Sequence, residues 1–159
     1  MTSEPSPAVL AETVAWVAIS RLQRAYADVV NRRAWAELRE LFTPDCPIRV
    51  DTVTNPPFDF TGPDEIGAFI GGAIEQFDFF EFVILNSHIE IDSTCTTASA
   101  RVFMCELRQD AATGSASEAF GLYRDTYRCI EGRWWFAARS YRSMRRTGRA
   151  PVFGLPEGL

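Results

Sequence analysis

The amino-acid sequence predicts an α+β domain in which three helices are followed by long antiparallel strands. Apolar residues recur at helical spacing in the first half of the 159-residue chain. The second half holds long segments rich in aromatic and β-branched residues, and short turn sequences separate these segments. Helices followed by a run of strands favour an architecture in which the helices cover one face of a curved sheet.

Three helical patterns support the first half of this prediction. Apolar residues at 8–31 fall within one stripe at ~100° per residue, and this stripe includes Tyr26. A shorter helical pattern begins at Trp35 and ends before Pro44, since proline stops a helix. A third helix opens at Pro63, because proline favours the first helical turn. We expect one domain at residues 12–145, between a mobile N-terminal tail at residues 1–11 and a C-terminal tail at residues 146–159 that crosses the pocket mouth or a partner subunit.

The strand patterns follow the third helix. Long strands are predicted at residues 80–92, 97–108, 116–130 and 133–145. Glu131 and Gly132 separate the last two strands, and this pair of residues indicates a tight hairpin. A short strand is expected at residues 46–53, and the proline-rich residues 54–63 are expected to form a loop.

Composition excludes several classes of function. The net charge of −5 and the pI of about 4.9 argue against nucleic acid as the partner. The chain has no lysine, which excludes Schiff-base catalysis by this residue type. His88 is the single histidine, so a histidine-rich metal site is excluded, and no metal or cofactor motif is present. No apolar run approaches the ~20 residues that span a membrane, so we expect no membrane partner.

Cysteine usage favours a reducing compartment. The four cysteines are widely spaced and show no C-x-x-C pairing. The N-terminal residues lack the basic and apolar regions of a signal peptide. We therefore expect reduced, mostly buried thiols and a cytoplasmic protein.

The hairpin at residues 123–141 carries the strongest functional signal. It combines bulky aromatic residues with the polar groups of Asp125, Arg139 and Tyr141. Alternation along the strands sends some of these groups to one face. An aromatic wall with a few fixed polar groups is typical of a site for a small, mostly apolar molecule. The sequence therefore predicts a pocket for a small hydrophobic molecule.

Four segments in a fixed order resemble one known superfamily. They are residues 26–45, 60–69, 82–91 and 121–139, which include Y-A-D-V-V-N-R-R, F-T-G-P-D-E-I, F-V-I-L-N-S-H and Y-R-D-T-Y-R. Together they resemble the nuclear transport factor 2-like superfamily, and within it the SnoaL-like branch of polyketide cyclases, scytalone dehydratase and bile-acid dehydratase. The resemblance implies a cone-shaped α+β barrel, a strongly curved and mostly antiparallel sheet around a deep cavity. It also implies a homodimer.

The resemblance assigns roles to individual residues. In members that dehydrate or isomerise, a tyrosine of the first helix polarises the substrate oxygen, and Tyr26 matches it. A carboxylate and a histidine move the proton in those members. Asn31 stands at the carboxylate position and Phe82 at the histidine position, four residues before Asn86. Asparagine and phenylalanine exchange no proton near neutral pH, so the usual acid–base pair is missing. Arg139 matches a basic residue near the end of the hairpin.

Two other residues are candidates for proton transfer. Strict alternation puts His88 on the same strand face as Phe82 and Asn86, where it would be an acid–base group at the pocket rim. The alternative is a histidine on the sheet surface or at a dimer interface. Asp125 would be a general base if its face is inward, or the partner of Arg139 or Arg124 in an ion pair that only orders the sheet. Asn31 would alternatively cap the end of its helix.

Three functions are consistent with these residues. The first is a cofactor-independent lyase or isomerase that acts on a hydrophobic cyclic carbonyl or hydroxy compound such as a steroid, polyketide or terpenoid. Its catalytic residues would be Tyr26, Asp125, His88 and Arg139, and its ligand-binding residues Asn31, Phe82, Asn86, Tyr123 and Trp134. The second function is non-catalytic binding, which predicts a pocket lined only by aromatic, amide and hydroxyl groups. The third is a dimeric interaction module, which predicts a filled cone. Glu106 and Arg108 are interpreted as solvated charges.

Overall fold

The computed structural model describes residues 4–147 and 154–155, which form an α+β domain. The helices are α1 (Pro7–Arg32), a 3₁₀ helix (Trp35–Glu40) and α2 (Gly62–Ile74). The strands are β1 (Pro47–Asp51), β2 (Phe58–Thr61), β3 (Phe77–Ile91), β4 (Thr97–Asp110), β5 (Ala116–Ile130) and β6 (Arg133–Arg146). The predicted fold class is confirmed.

The predicted tails fall partly outside the described residues. Helix α1 begins at Pro7, so it includes part of the segment that the sequence assigns to the tail at residues 1–11. Ser6 caps this helix, because its hydroxyl accepts a hydrogen bond from the backbone N–H of Val9. Residues 1–3, 148–153 and 156–159 of the two predicted tails lie outside the described part of the chain.

The six strands form one open, curved sheet in the order β2-β1-β6-β5-β4-β3. The β1–β6 pair is parallel and the other pairs are antiparallel, which confirms the mostly antiparallel prediction. The prediction of a loop across residues 54–63 is wrong for Phe58–Thr61, which pairs with β1 as an edge strand. This strand is only four residues long, so its own sequence pattern is too short to indicate it.

The hairpin between β5 and β6 has the geometry that its sequence predicts. Glu131 and Gly132 lie between Ile130 and Arg133, and their φ angles are 50° and 79°. Two successive residues with positive φ match the right-handed twist of the flanking strands, which is why glycine is favoured in such turns. The hairpin sets the register that brings β5 and β6 side chains together on the concave face.

A β-bulge interrupts β3. Its pairing with β4 passes from Ile84 opposite Met104 to Asn86 opposite Phe103, which leaves Leu85 as an extra residue. One extra residue inverts the alternation of every residue that follows. Phe82 therefore lies in the core on one side of the bulge, whereas the residues beyond Leu85 have changed faces.

Candidate functional site

A cavity of about 290 Å³ lies between α2 and the concave face of the sheet. Its apolar wall is formed by residues of β1, α2 and the start of β3: Ile48, Val50, Ile66, Phe69, Ile70, Ala73, Ile74 and Phe77. Its polar wall is formed by Tyr26, Thr52, Gln76, Glu106, Arg108, Tyr123, Arg139, Tyr141 and Arg146. A larger, shallow groove on the opposite sheet face is lined by charged and small side chains. The cavity is less open to solvent than the groove, so it is the better site for an apolar molecule.

Tyr26 is placed at the cavity by the buried stripe of α1, as predicted. It is 2% exposed, and its ring makes edge contacts with Phe82 and Phe136 at centroid distances of 5.5 and 5.9 Å. Burial raises the pKa of the Tyr26 hydroxyl, and nearby Arg139 offsets only part of this effect. The hydroxyl therefore stays protonated near neutral pH and acts as a hydrogen-bond donor.

Arg139 and Asp125 form a buried ion pair beneath Tyr26. Arg139 donates from Nε to Oδ1 of Asp125 at 2.7 Å and from Nη2 to Oδ2 at 2.8 Å. The Tyr127 hydroxyl donates to Oδ2 of Asp125 at 2.9 Å, and it accepts from Nε2 of Gln23. Burial alone would lower the pKa of Arg139, but the Asp125 carboxylate raises it above its usual value. Asp125 therefore holds Arg139 in the buried ion pair that the sequence left open as the alternative to a general base.

Tyr141 lies over Gly121 at the cavity wall. A Cβ atom on Gly121 would lie 2.7 Å from both Cζ and Oη of Tyr141, so only glycine lets the ring lie there. The ring centroids of Tyr123 and Tyr141 are 5.1 Å apart, and the Tyr141 hydroxyl lies 3.1 Å from Oγ of Ser143. Burial raises the pKa of Tyr123 and of Tyr141, so both hydroxyls stay protonated near neutral pH.

Glu106 is the carboxylate of the cavity, and the sequence interpretation missed it. Its side chain is 18% exposed and that of Arg108 is 16% exposed, and the two are in direct contact. After burial, the charge of Glu106 is the largest cause that raises the pKa of Tyr141. The interpretation of this pair as solvated is wrong. Strand alternation contains the missing signal, because Glu106 continues the buried positions of Val102 and Met104 on β4.

The comparison with protein families supplies the identity of the domain. Residues 12–140 match the family model of the SnoaL-like domain. The chain belongs to the SnoaL-like family. This result confirms the resemblance to the nuclear transport factor 2-like superfamily. No curated protein matches the chain significantly.

Solved structures share the fold of this SnoaL-like domain. A proposed scytalone dehydratase from Novosphingobium aromaticivorans is 24% identical, with a TM-score of 0.76 over 95% of this chain and 98% of that chain. A hexachlorocyclohexane dehydrochlorinase from Novosphingobium barchaimii is 16% identical, with a TM-score of 0.75 over 92% of this chain and 98% of that chain. A proposed aromatic ring hydroxylase from Novosphingobium aromaticivorans is 21% identical, with a TM-score of 0.70 over 84% and 92%. At these identities the likeness establishes the fold.

His88 and Asn86 lie outside the cavity of the SnoaL-like domain. The prediction that they share a face with Phe82 is wrong, because the extra residue Leu85 inverts the alternation beyond it. The His88 side chain is 56% exposed, and its Nε2 atom lies 3.5 Å from Oε1 of Glu90. His88 is therefore a surface histidine, which was the alternative that the sequence left open.

Asn31, Phe82 and Trp134 stabilise the SnoaL-like domain without lining the cavity. The Asn31 amide donates to the carbonyl oxygen of Phe82 at 3.1 Å and accepts from its N–H at 2.6 Å, which ties α1 to β3. This link replaces the predicted helix cap, since the backbone N–H of Arg33 forms the cap. Phe82 packs behind Tyr26, and Trp134 is buried in the core. Of the five predicted ligand-binding residues, Tyr123 lines the cavity.

Several polar atoms of the cavity residues are buried without a hydrogen-bond partner. They are Oγ1 of Thr52, Nε of Arg108, Nη1 of Arg139 and Nε of Arg146. Guanidinium N–H groups only donate, so the three arginine atoms all require an acceptor. Buried polar groups in proteins are normally satisfied. The three arginine atoms are therefore hydrogen-bond donors without an acceptor among the described residues.

No group of three or more His, Cys, Asp or Glu side chains is arranged to hold a metal ion among residues 4–147 and 154–155. Within the same residues, no helix is long and apolar enough to cross a membrane.

Proposed function

We propose that this SnoaL-like domain binds a hydrophobic cyclic carbonyl or hydroxy compound and catalyses its dehydration or isomerisation without a cofactor. One observation carries the proposal: Glu106 lines the same cavity as the hydroxyl groups of Tyr26 and Tyr123 and the free donor of Arg139. A carboxylate and preorganised donors around an apolar space are the parts that proton transfer beside a carbonyl requires. Steroids, polyketides and terpenoid ketones are compounds of this class.

Tyr26 and Arg139 would hold the substrate oxygen. Tyr26 is protonated because its pKa is raised by burial, so it donates to a carbonyl oxygen and to the enolate that forms from it. Nη1 of Arg139 is the second donor, and Asp125 fixes the guanidinium through its other two nitrogens. Donors that are fixed before the reaction stabilise developing charge without reorganisation.

Glu106 would move the proton. In a β-hydroxy carbonyl compound, its carboxylate removes the proton next to the carbonyl. The hydroxyl group on the next carbon then leaves as water, after taking the proton back from Glu106. Arg108 contacts Glu106 and orients it. Two of the similar structures are named for eliminations, a dehydration and a dehydrochlorination, which supports this reaction class.

Non-catalytic binding is the second candidate function. It is favoured by Asn31 and Phe82, which stand at the positions of the expected carboxylate and histidine. The Asn31 amide binds the backbone of Phe82, and neither side chain transfers a proton. The two candidates differ in the role of Glu106. Catalysis requires this carboxylate for turnover, whereas binding alone uses it only as part of the polar wall.

A thermal-shift screen against steroids, aromatic polyketides and terpenoid ketones tests the proposal. A compound that binds only the native state raises the melting temperature. We expect Tyr26→Phe to weaken the hit about 2- to 10-fold through loss of one hydrogen bond. Glu106→Gln should retain binding and lower turnover about 10²–10⁴-fold. His88→Gln is the matched control, since His88 lies on the outer surface and should change neither quantity.

Each outcome of the screen has a defined meaning. Binding that depends on Tyr26 but without turnover of any hit favours the non-catalytic function. Turnover that survives Glu106→Gln contradicts the proposed proton-transfer residue. A blank screen contradicts both candidates and favours the interaction module.

The homodimer stays a prediction from the family resemblance. The outer sheet face carries the shallow groove lined by Arg49, Ser99, Arg101, Thr126 and Ser140, and this is the face on which we expect the second copy to bind. Elution as a dimer in size-exclusion chromatography at micromolar concentration is the expected result, and elution as a monomer would contradict it.

A further inference from the structure

Arg146 is a half-buried cation at the end of β6 that the proposed reaction does not use. It lines the cavity, and in the sheet it is opposite Ala119, whose other neighbour is Glu106. Its Nε atom is buried without a hydrogen-bond partner. Among the residues that the structure describes, Arg146 forms no ion pair, whereas Arg108 pairs with Glu106 and Arg139 pairs with Asp125.

The cavity therefore has a local charge opposite to that of the chain. The Arg108–Glu106 and Arg139–Asp125 pairs each sum to zero, so Arg146 leaves one positive charge in a protein of net charge −5. The charge of Arg146 acts on Tyr141 at the cavity wall. Burial and the charge of Glu106 raise the pKa of Tyr141, and the charge of Arg146 opposes this increase. The buried Nε atom of this cation needs a hydrogen-bond acceptor, and an anionic acceptor also compensates the charge.

We propose that the natural ligand is an apolar acid whose carboxylate binds Arg146. This inference rests on the proposed function and names its substrate class. A planar guanidinium binds a carboxylate through two parallel hydrogen bonds, which is the strongest pairing available to this side chain. The Nε atom of Arg146 is a free donor for one of these bonds.

The ligand carries its two polar groups at opposite ends. Arg139 and Arg146 are seven residues apart on the same strand, and one of these residues, Met144, is the extra residue of a bulge, so their Cα atoms are about 20 Å apart at ~3.3 Å for each of the six regular steps. The neutral oxygen binds at Tyr26 and Arg139, and the carboxylate binds at Arg146. The apolar body lies between them, against Phe69 and Ile70 of α2. The substrate class is thus an elongated cyclic compound with a carbonyl or hydroxyl group at one end and a carboxylate at the other.

Two matched fluorescent probes test this inference. They are 9-anthracenecarboxylate and 9-anthracenemethanol, which share one ring system and differ in the anionic group. In a titration at pH 7.5, we expect the carboxylate to bind about tenfold or more tightly than the alcohol, since a hydrogen bond to a charged group contributes more than a neutral one. Arg146→Met should remove this preference and leave the affinity for the alcohol unchanged.

Three variants make the result specific. Arg146→Lys retains the charge and should retain most of the preference for the carboxylate. Arg145→Met removes a charge from the neighbouring, exposed position and should change neither affinity. Ile70→Trp fills the cavity and should abolish binding of both probes, which shows that the probes bind there.

The outcomes separate this inference from the function on which it rests. Equal affinity for the two probes, or a preference that survives Arg146→Met, overturns the anionic ligand and leaves the cavity function standing. If neither probe binds, both proposals are overturned.

Discussion

Asp125 and Arg139 are joined by two hydrogen bonds of 2.7 and 2.8 Å in the interior of the domain. Their side chains are 0% and 4% exposed, so water contributes almost nothing to either charge. The oxygens of the Asp125 carboxylate, which lies among aromatic rings, accept hydrogen bonds from Arg139 and Tyr127. The pair fixes the guanidinium under Tyr26, where the carbon of the guanidinium lies 4.1 Å from the ring centroid.

Removing Asp125 should destabilise the protein strongly. Asp125→Asn leaves the guanidinium of Arg139 buried without its counter-charge, and we expect a loss of about 3–5 kcal/mol in the free energy of unfolding. Urea denaturation measures it. The double variant Asp125→Leu with Arg139→Met removes both charges and should be more stable than Asp125→Asn alone. A loss below about 1 kcal/mol for Asp125→Asn would contradict the buried pair.

Gly121 should tolerate no side chain. In Gly121→Ala the new Cβ atom collides with the ring of Tyr141, which must leave the cavity wall, at a cost of about 1–3 kcal/mol. Gly72→Ala is the matched control, because nothing lies within 4 Å of a Cβ atom at this position in α2. Alanine should stabilise that helix by about 0.5–1 kcal/mol. Similar changes in melting temperature for the two variants would contradict the position of Tyr141.

Asn31 should matter for stability and not for the ligand. Asn31→Ala removes both hydrogen bonds to the backbone of Phe82, and we expect a loss of about 1–2 kcal/mol in the free energy of unfolding. Ligand affinity should stay unchanged, since Asn31 does not line the cavity. The control Asn86→Ala, on the exposed outer face, should alter stability by less than about 0.5 kcal/mol. A selective loss of ligand affinity in Asn31→Ala would restore its predicted binding role.

The four tyrosines should ionise together only when the protein unfolds. Burial raises the pKa of each of them, Tyr26, Tyr123, Tyr127 and Tyr141, above 10.0. The unfolded chain therefore loses these protons first, at a pH near 10, and stability falls as the pH rises beyond that value. Tyrosinate absorbance should show little ionisation of native protein at pH 10 and a cooperative rise at higher pH. A simple titration near pH 10 without unfolding would show that the hydroxyls are exposed.

Local sequence patterns predicted the elements whose conformation depends on residues close together in the chain. The hairpin at Glu131 and Gly132 has the two positive φ angles that its turn residues indicate. The apolar stripe of α1 placed Tyr26 in the core, as helical periodicity requires. The edge strand β2 escaped prediction, since four residues that pair with β1 carry too few alternations to be distinguished from a loop.

The candidate site was harder to predict, because single extra residues determine which side chains face the cavity and partners on neighbouring strands determine their roles. Leu85 is one extra residue, and it moved His88 and Asn86 from the expected face to the outer one. The sequence left open which face of the sheet holds Asp125, and its inward position and its pairing with Arg139 depend on the β5–β6 register. Glu106 was assigned to solvent from its neighbour Arg108, although the alternation of β4 places it inward.

The sequence by itself determined the superfamily, the α+β architecture, the main hairpin and the presence of an aromatic pocket with Tyr26 beside it. Those features follow from hydrophobic periodicity and from turn residues, both of which depend on residues close together in the chain. Only the tertiary structure decided which charges face the cavity, that Asp125 is held by Arg139, and that Arg146 and Glu106 belong to the site. These facts depend on strand register and on a bulge, which are set by contacts between residues distant in the chain.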